Sequence, residues 1–239
     1  MKLPRLFAFA LVLLQTTAFA GPSVLVFSKT AGYRHASIPD GIAMLHKIAA
    51  EEKWTVEATE DAGAFTPGNL ARFDAIVFLS TTQDVLTDEQ MAAMREHLRA
   101  GHGFVGIHTT PDTEYGDSWF CQLSGARFAR HPAIQENTLT VHKSCGHPSI
   151  AHLGDTWTRT DEWYDFREPV GDYVTPVLST APTTYPEGKP PGGDHPIAWF
   201  HEFEGGRVFY TGLGHTSESY TEPEFVKHLR EALRWAIGK

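Results

Sequence analysis

Thiols are scarce in this chain. Cys121 and Cys145 are the two cysteines in 239 residues. Neither lies in a Cys-x-x-Cys or another thiol-ligand spacing, which argues against a zinc–thiolate site. Spacing leaves open whether they pair as a disulfide or stay apart as two thiols. Several motifs are also missing. There is no Gly-x-x-x-x-Gly-Lys-Ser/Thr, hence no nucleotide P-loop, and no Gly-x-Gly-x-x-Gly after the first strand pattern. Without Gly-x-Ser-x-Gly there is no serine elbow, and without His-Glu-x-x-His there is no zincin helix. Basic residues are outnumbered: 20 Lys and Arg face 29 Asp and Glu, a net charge of −9. A surface of that sign, with no basic run, repels phosphate backbones and makes nucleic acid a poor partner. Past residue 20 no stretch is long and apolar enough to span a bilayer. There is no internal repeat and no low-complexity segment.

The N-terminus has its own pattern. Lys2 and Arg5 precede an unbroken apolar run from Leu6 to Leu14, and Ala18-Phe19-Ala20 offers a small-x-small cleavage site. This predicts a signal peptide over 1–20, with Gly21 as the mature start and export to the periplasm or medium. No cysteine follows the run, so lipid anchoring is not expected. The remainder, 21–239, is predicted to form one domain.

Within it, short apolar runs alternate with helical patterns. Ser23–Ser28, Trp54–Thr59, Ala75–Leu79 and Phe104–Ile107 read as strands. Ser37 with Asp40, and Thr87 with Gln90, resemble capping boxes ahead of helices, the second ending near Gly101. Strands separated by helices imply parallel pairing and an α/β fold, with ligands gathering at the strands' carboxyl ends. Loops 29–37, 80–86 and 108–117 are therefore the ones to watch. The second half is less regular. Thr138–His142 and Tyr173–Leu178 are candidate strands. Ile197–Phe203 and Arg207–Gly212 form a hairpin pattern, and Thr221–Glu224 caps a last helix through Trp235. Residues 113–172 and 179–196 read as long, aromatic-rich covering loops.

The chain holds 13 histidines, and three stand at predicted strand ends. His108 follows Gly106-Ile107, with Asp112 and Glu114 close behind. His215 lies in Gly212-Leu213-Gly214-His215-Thr216, with Glu218 three residues on. His35 follows the first strand, beside Tyr33 and Arg34. Imidazole suits both metal ligation and proton transfer near neutral pH. A divalent metal such as zinc could be held by His35, His108 and His215. Asp161-Glu162-Trp163-Tyr164 mixes acids with aromatics, as a carbohydrate site does. Asp194-His195-Pro196 and His131-Pro132 are weaker candidates, His147-Pro148 reads as loop punctuation, and His46, His97 and His228 fall in helical patterns as structural or solvated residues.

Thr30–Ile38, Gly106-Ile107-His108, Asp112–Tyr115, Asp161–Tyr164, Asp194–Trp199 and Tyr210–Thr216, taken in order, resemble the trehalose-utilisation (ThuA-like) family. The likeness runs over about 24–236. It implies a flavodoxin-like fold related to class I glutamine amidotransferases, with a mostly parallel sheet and helices on both faces. Amidotransferases carry a nucleophilic cysteine where His108 stands here, and a late His–Glu pair that His215 and Glu218 resemble. Without that thiol, thioester chemistry is closed. The resemblance also implies a small-molecule carbohydrate partner, since relatives process 3-keto derivatives of disaccharides. On that reading His108 or His215 serves as base and Glu162 or Asp112 as acid. Tyr33, Trp163 and Tyr164 stack on the sugar, and Arg34, His35, Glu114, His131 and His195 help to bind it. Two alternatives stay open: a carbohydrate-binding protein without catalysis, and a metal-dependent hydrolase of another substrate.

Overall fold

The computed structural model describes residues 21–180 and 195–238. The signal-peptide pattern and Asp194 lie outside the described residues, as does most of the second covering loop. In chain order the main elements are β1 (Ser23–Phe27), α1 (Ile38–Glu52), β2 (Thr55–Thr59), α2 (Pro67–Leu70), β3 (Ala75–Leu79), α3 (Asp88–Arg99) and β4 (Gly103–Ile107). Then come α4 (Ser118–Ser124), β5 (Phe128–Arg130), β6 (Gln135–Val141), β7 (Thr156–Asp161) and β8 (Asp165–Phe166). The chain ends with β9 (Thr175–Thr180), β10 (His195–Phe203), β11 (Gly206–Thr211) and α5 (Pro223–Ile237).

One nine-stranded sheet runs in the order β2-β1-β3-β4-β11-β10-β9-β6-β7. The first five pair in parallel, which is the flavodoxin-like 2-1-3-4-5 order with β11 as fifth strand. β10, β9, β6 and β7 extend it in antiparallel fashion. β5 and β8 form a separate two-stranded ribbon. Helices cover both faces, as expected. Leu45, Ile48, Leu229 and Leu233 from α1 and α5 pack on Val26, Val77, Val105 and Phe209. On the other face Met91, Met94 and Leu98 of α3 and Phe120 of α4 meet Phe27, Phe78 and Phe104. Burying β3 and β4 completely explains why they read as continuous apolar runs.

The capping signals divide. Thr87 and Gln90 form the full reciprocal box at α3. Ser37 does not cap α1. Its own backbone is already helical (φ −76°, ψ −9°), and its hydroxyl meets the Gly214 carbonyl at 3.5 Å instead. The box expected at α5 is also absent: Glu222 rather than Thr221 holds the N-cap position, with no side-chain cap bond, and the Thr221 hydroxyl donates to the Glu218 carbonyl (3.0 Å). Stretch 113–172, expected to be mainly loop, contains α4 and four strands. β7 gave no strand signal because its inward-facing residues are Trp157, Arg159 and Asp161. Two of the three are charged, so no apolar alternation marks it. Cys121 and Cys145 are separate, half-buried thiols and not a disulfide.

Candidate functional site

The parallel strands deliver three loops to one spot. β1 leads to His35, β4 to His108 and β11 to His215. His108 takes left-handed backbone (φ 59°) directly after β4, a conformation that costs a non-glycine residue of the order of 1–3 kcal/mol. Its N–H donates to the Thr211 carbonyl of the neighbouring strand (2.8 Å). Its ring Nδ1 lies 3.0 Å from the Gly212 carbonyl. A carbonyl only accepts, so in the neutral ring Nδ1 carries the proton and Nε2 presents a lone pair. That Nε2 is 3.2 Å from His35 Nε2, 3.1 Å from His215 Nδ1 and 3.5 Å from Glu162 Oε2. His215 Nδ1 is also 3.1 Å from Glu162 Oε2. All four donor atoms lie within 4.8 Å of one another.

Such crowding suits a cation. Zinc ligands sit about 2.0–2.1 Å from the metal, so neighbouring donors of a tetrahedral ion stand about 3.3 Å apart. The four measured separations fall at that spacing. Three imidazoles and one carboxylate are also a borderline-soft donor set suited to zinc. The His108 Nδ1–H bond to a carbonyl is the outer contact that fixes a ligating tautomer. The residues present therefore fit a divalent metal, and Glu162 joins the three histidines expected from strand position.

Charge is arranged around this point. Burial pushes the His35 imidazolium down to about 3, with His108 and His215 adding repulsion, so its ring is neutral at physiological pH. Its Nδ1 is buried without a hydrogen-bond partner. Burial also opposes charge on His215, but the hydrogen bond and charge of Glu162, with Asp161 behind, outweigh it and raise the pKa. For Glu162 burial disfavours the anion, yet His108 and His215, when their rings are protonated, hold its carboxyl well below the usual range by hydrogen bonding and charge. Glu162 is thus an ion, bonded on its other oxygen to His131 Nδ1 (2.9 Å).

A cavity of about 310 Å³ opens onto the cluster, with His35, Glu162 and His215 in its wall and His108 fully buried beneath. The size is at the lower end for small-molecule sites. Tyr33 and Phe128 give aromatic surface, and Thr82, Thr109, Asp112 and His131 give polar groups.

The sequence model of the trehalose-utilisation (ThuA) family matches residues 23–236. The chain belongs to that family. Two solved ThuA-like proteins share its fold. One is from Bacteroides uniformis ATCC 8492, with 21% identity, TM-score 0.76 and coverage of 91% of this chain and 92% of that one. The other is from Parabacteroides merdae ATCC 43184, with 17% identity, TM-score 0.74 and coverage of 91% and 90%. A β-galactosidase from Bacillus circulans sp. alkalophilus holds a similar unit, at 9% identity and TM-score 0.58 over 90% of this chain but 31% of that one. At these identities the likeness is one of fold. A search of proteins with curated functions finds no match.

In this ThuA-family chain the expected residues sort clearly. His35, His108, His215 and Glu162 converge, and Tyr33, Tyr164, Asp112 and His131 line the cavity. Tyr164 is buried, and its hydroxyl lies 3.3 Å from His108 Nε2. Four expectations need correction. Arg34 is turned to solvent in an ion pair with Glu60 (2.7 Å). Glu114 faces away and accepts the Val85 and Leu86 amides (both 2.8 Å), tying down the loop after β3. Trp163 is in the core, its Nε1 donating to the Gln135 carbonyl (2.9 Å), and offers no stacking face. Glu218 is exposed, and the acid partner of His215 is Glu162, 53 residues earlier in the chain. His195 supports the wall without lining it, through a 2.7 Å bond to the Tyr164 carbonyl. Thr82, Thr109 and Phe128 carried no signal in the sequence. Asp161 lies behind the cluster, next to Glu162 in the chain.

Proposed function

We propose that this protein is an exported enzyme of carbohydrate breakdown. It acts on a 3-keto sugar or glycoside, with a divalent metal such as zinc held by His35, His108, His215 and Glu162. The convergence of these four donors at the floor of a sugar-sized cavity carries the reading. When bound, the metal supplies Lewis-acid polarisation of a substrate oxygen. A keto group acidifies the adjacent C–H, so a base and an acid then suffice for elimination or hydrolysis of the glycosidic bond. The charge arrangement bears on which group is the acid. Glu162 is ionised and cannot be the acid. Asp112 is the better proton donor, because burial raises its carboxyl pKa, although the Tyr115 hydrogen bond and Arg167 pull the other way. Tyr33, 67% exposed at the mouth, and Phe128 offer apolar faces to a sugar ring. The reading of export rests on the pattern of residues 1–20.

The test has two arms. Elemental analysis of protein purified without a histidine tag is expected to find close to one equivalent of metal, lost in His108→Ala. Turnover of 3-keto-glycosides is expected to collapse in the His108→Ala/His215→Ala variant. Undiminished turnover in that folded variant defeats the proposal. Binding of sugars without turnover, with metal supplied, points instead to a carbohydrate-binding protein.

A further inference from the structure

One buried charge has no part in that chemistry. Asp161 ends β7, is fully buried, and is not part of the cavity wall. Its Oδ1 accepts the main-chain N–H of Glu162 (2.9 Å) and of His215 (3.1 Å). Its Oδ2 accepts the N–H of Gly214 (2.9 Å) and faces Arg159 Nη2 at 3.1 Å. Arg159 is itself held by the Ser219 hydroxyl (2.7 Å) and by Glu222 (3.2 Å), with its guanidinium against the rings of Trp157 and Phe225.

Two of the three amides bound by Asp161 belong to residues whose side chains enter the donor cluster. Strand pairing does not link β11 to β7, because β10, β9 and β6 stand between them in the sheet. Gly214 takes left-handed backbone (φ 109°), which lets consecutive N–H groups of this turn face one carboxylate. Hydrogen bonds to an ionised acceptor are shorter and about twice as strong as neutral ones. A single anion thus clamps the main chain of two donors far apart in sequence.

We propose that Asp161 is a positioning residue for the metal centre: through the amides of Glu162 and His215 it fixes the 3.1 Å separation of Glu162 Oε2 and His215 Nδ1. This rests on the metal reading above. Asparagine at 161 keeps the shape but removes the charge, and it turns an N–H₂ donor toward amides that need an acceptor. Arg159 holds Asp161 from outside, so its loss shifts the same two ligands by less.

Cobalt(II) titration, read by visible ligand-field absorption, tests the role. Wild-type protein is expected to bind cobalt with a defined tetrahedral or five-coordinate spectrum. In Asp161→Asn, affinity is expected to fall about 10–100-fold, the range for outer-contact substitutions, and the bands to move and weaken. A variant with wild-type affinity and spectrum but a lower melting temperature overturns the inference, since it makes Asp161 a purely structural hub. If Asp161→Asn does not fold, Arg159→Lys is expected to shift the bands in the same direction by less, and unchanged bands there also overturn it. Wild-type protein that takes up no cobalt defeats the metal reading itself, and the role of Asp161 with it.

Discussion

Glu162 and His215 form a pair whose protonation each partner controls. The carboxyl is depressed and the imidazole raised. A raised histidine stabilises the fold below its unfolded value near 6.5, and that contribution is lost as pH climbs through the folded value. A depressed carboxylate stabilises above its unfolded value near 4.5 and loses the contribution as pH falls. The pair therefore helps most in the interval between. In metal-free Glu162→Gln the His215 pKa is expected to drop, which NMR titration of its ring protons reads directly. An unchanged value rules out the pair as the source of the shift. At this scale the sequence was informative where chemistry coincides with strand ends: His35, His108 and His215 follow β1, β4 and β11 and stand out from 13 histidines. It was uninformative where a side chain's direction decides. Glu114 and Arg34 lie beside site residues in sequence, yet one holds a loop and the other an exposed ion pair.

Among the elements, regular patterns were legible and irregular ones were not, for definite reasons. β1, β3 and β4 are buried on both faces and announce themselves by composition alone. β7 hides because Arg159 and Asp161 fill its inward positions, and their burial makes sense only with Ser219, Glu222 and the turn after β11 in place. The same logic separates the two capping signatures. Thr87 receives the Gln90 amide, and Gln90 returns a 2.9 Å bond to the Thr87 N–H. Thr87→Ala is expected to cost about 1 kcal/mol in urea unfolding. Ser37→Ala breaks no cap bond and is expected to cost less. Equal losses would show that the pattern, not the geometry, governs helix α1.

For the molecule as a whole, buried neutral histidines set the acid limit. His97 and His228 are pushed down to about 3, and His147 and His201 to about 4, by burial first in each case. Their unfolded values lie near 6.5, so the unfolded chain takes up protons that the folded chain refuses. Stability from these groups is complete above about pH 6.5 and is lost as pH falls through about 4 for His147 and His201 and about 3 for His97 and His228. The melting temperature is expected to decline steeply over that window. His228, fully buried in α5 with its Nε2 unbonded, is the sharpest probe: His228→Leu is expected to flatten the decline, and an unaltered pH slope excludes it as a contributor.

Proton linkage also predicts how metal and protons compete. Ligation needs all three imidazoles neutral at the ligating nitrogen. His35 already meets that condition, because burial keeps it unprotonated far below neutrality. His215 holds its proton more tightly than a free imidazole, because the hydrogen bond and charge of Glu162 outweigh burial and raise its pKa. Metal entry therefore competes with the proton that Glu162 helps His215 to hold, and displacing it removes the partner that Glu162 bonds, freeing Oε2 for the cation. Calorimetric zinc titrations in buffers of different ionisation enthalpy are expected to show release of up to about one proton, rising as pH is lowered from about 8 to about 6. Zinc at about 100 times its dissociation constant would then add about 2.7 kcal/mol to folding, an increment expected to shrink as acid reloads His215. Zinc binding with no proton release across that range would mean that His215 is not displaced from Glu162, and the four-donor site would lose that ligand.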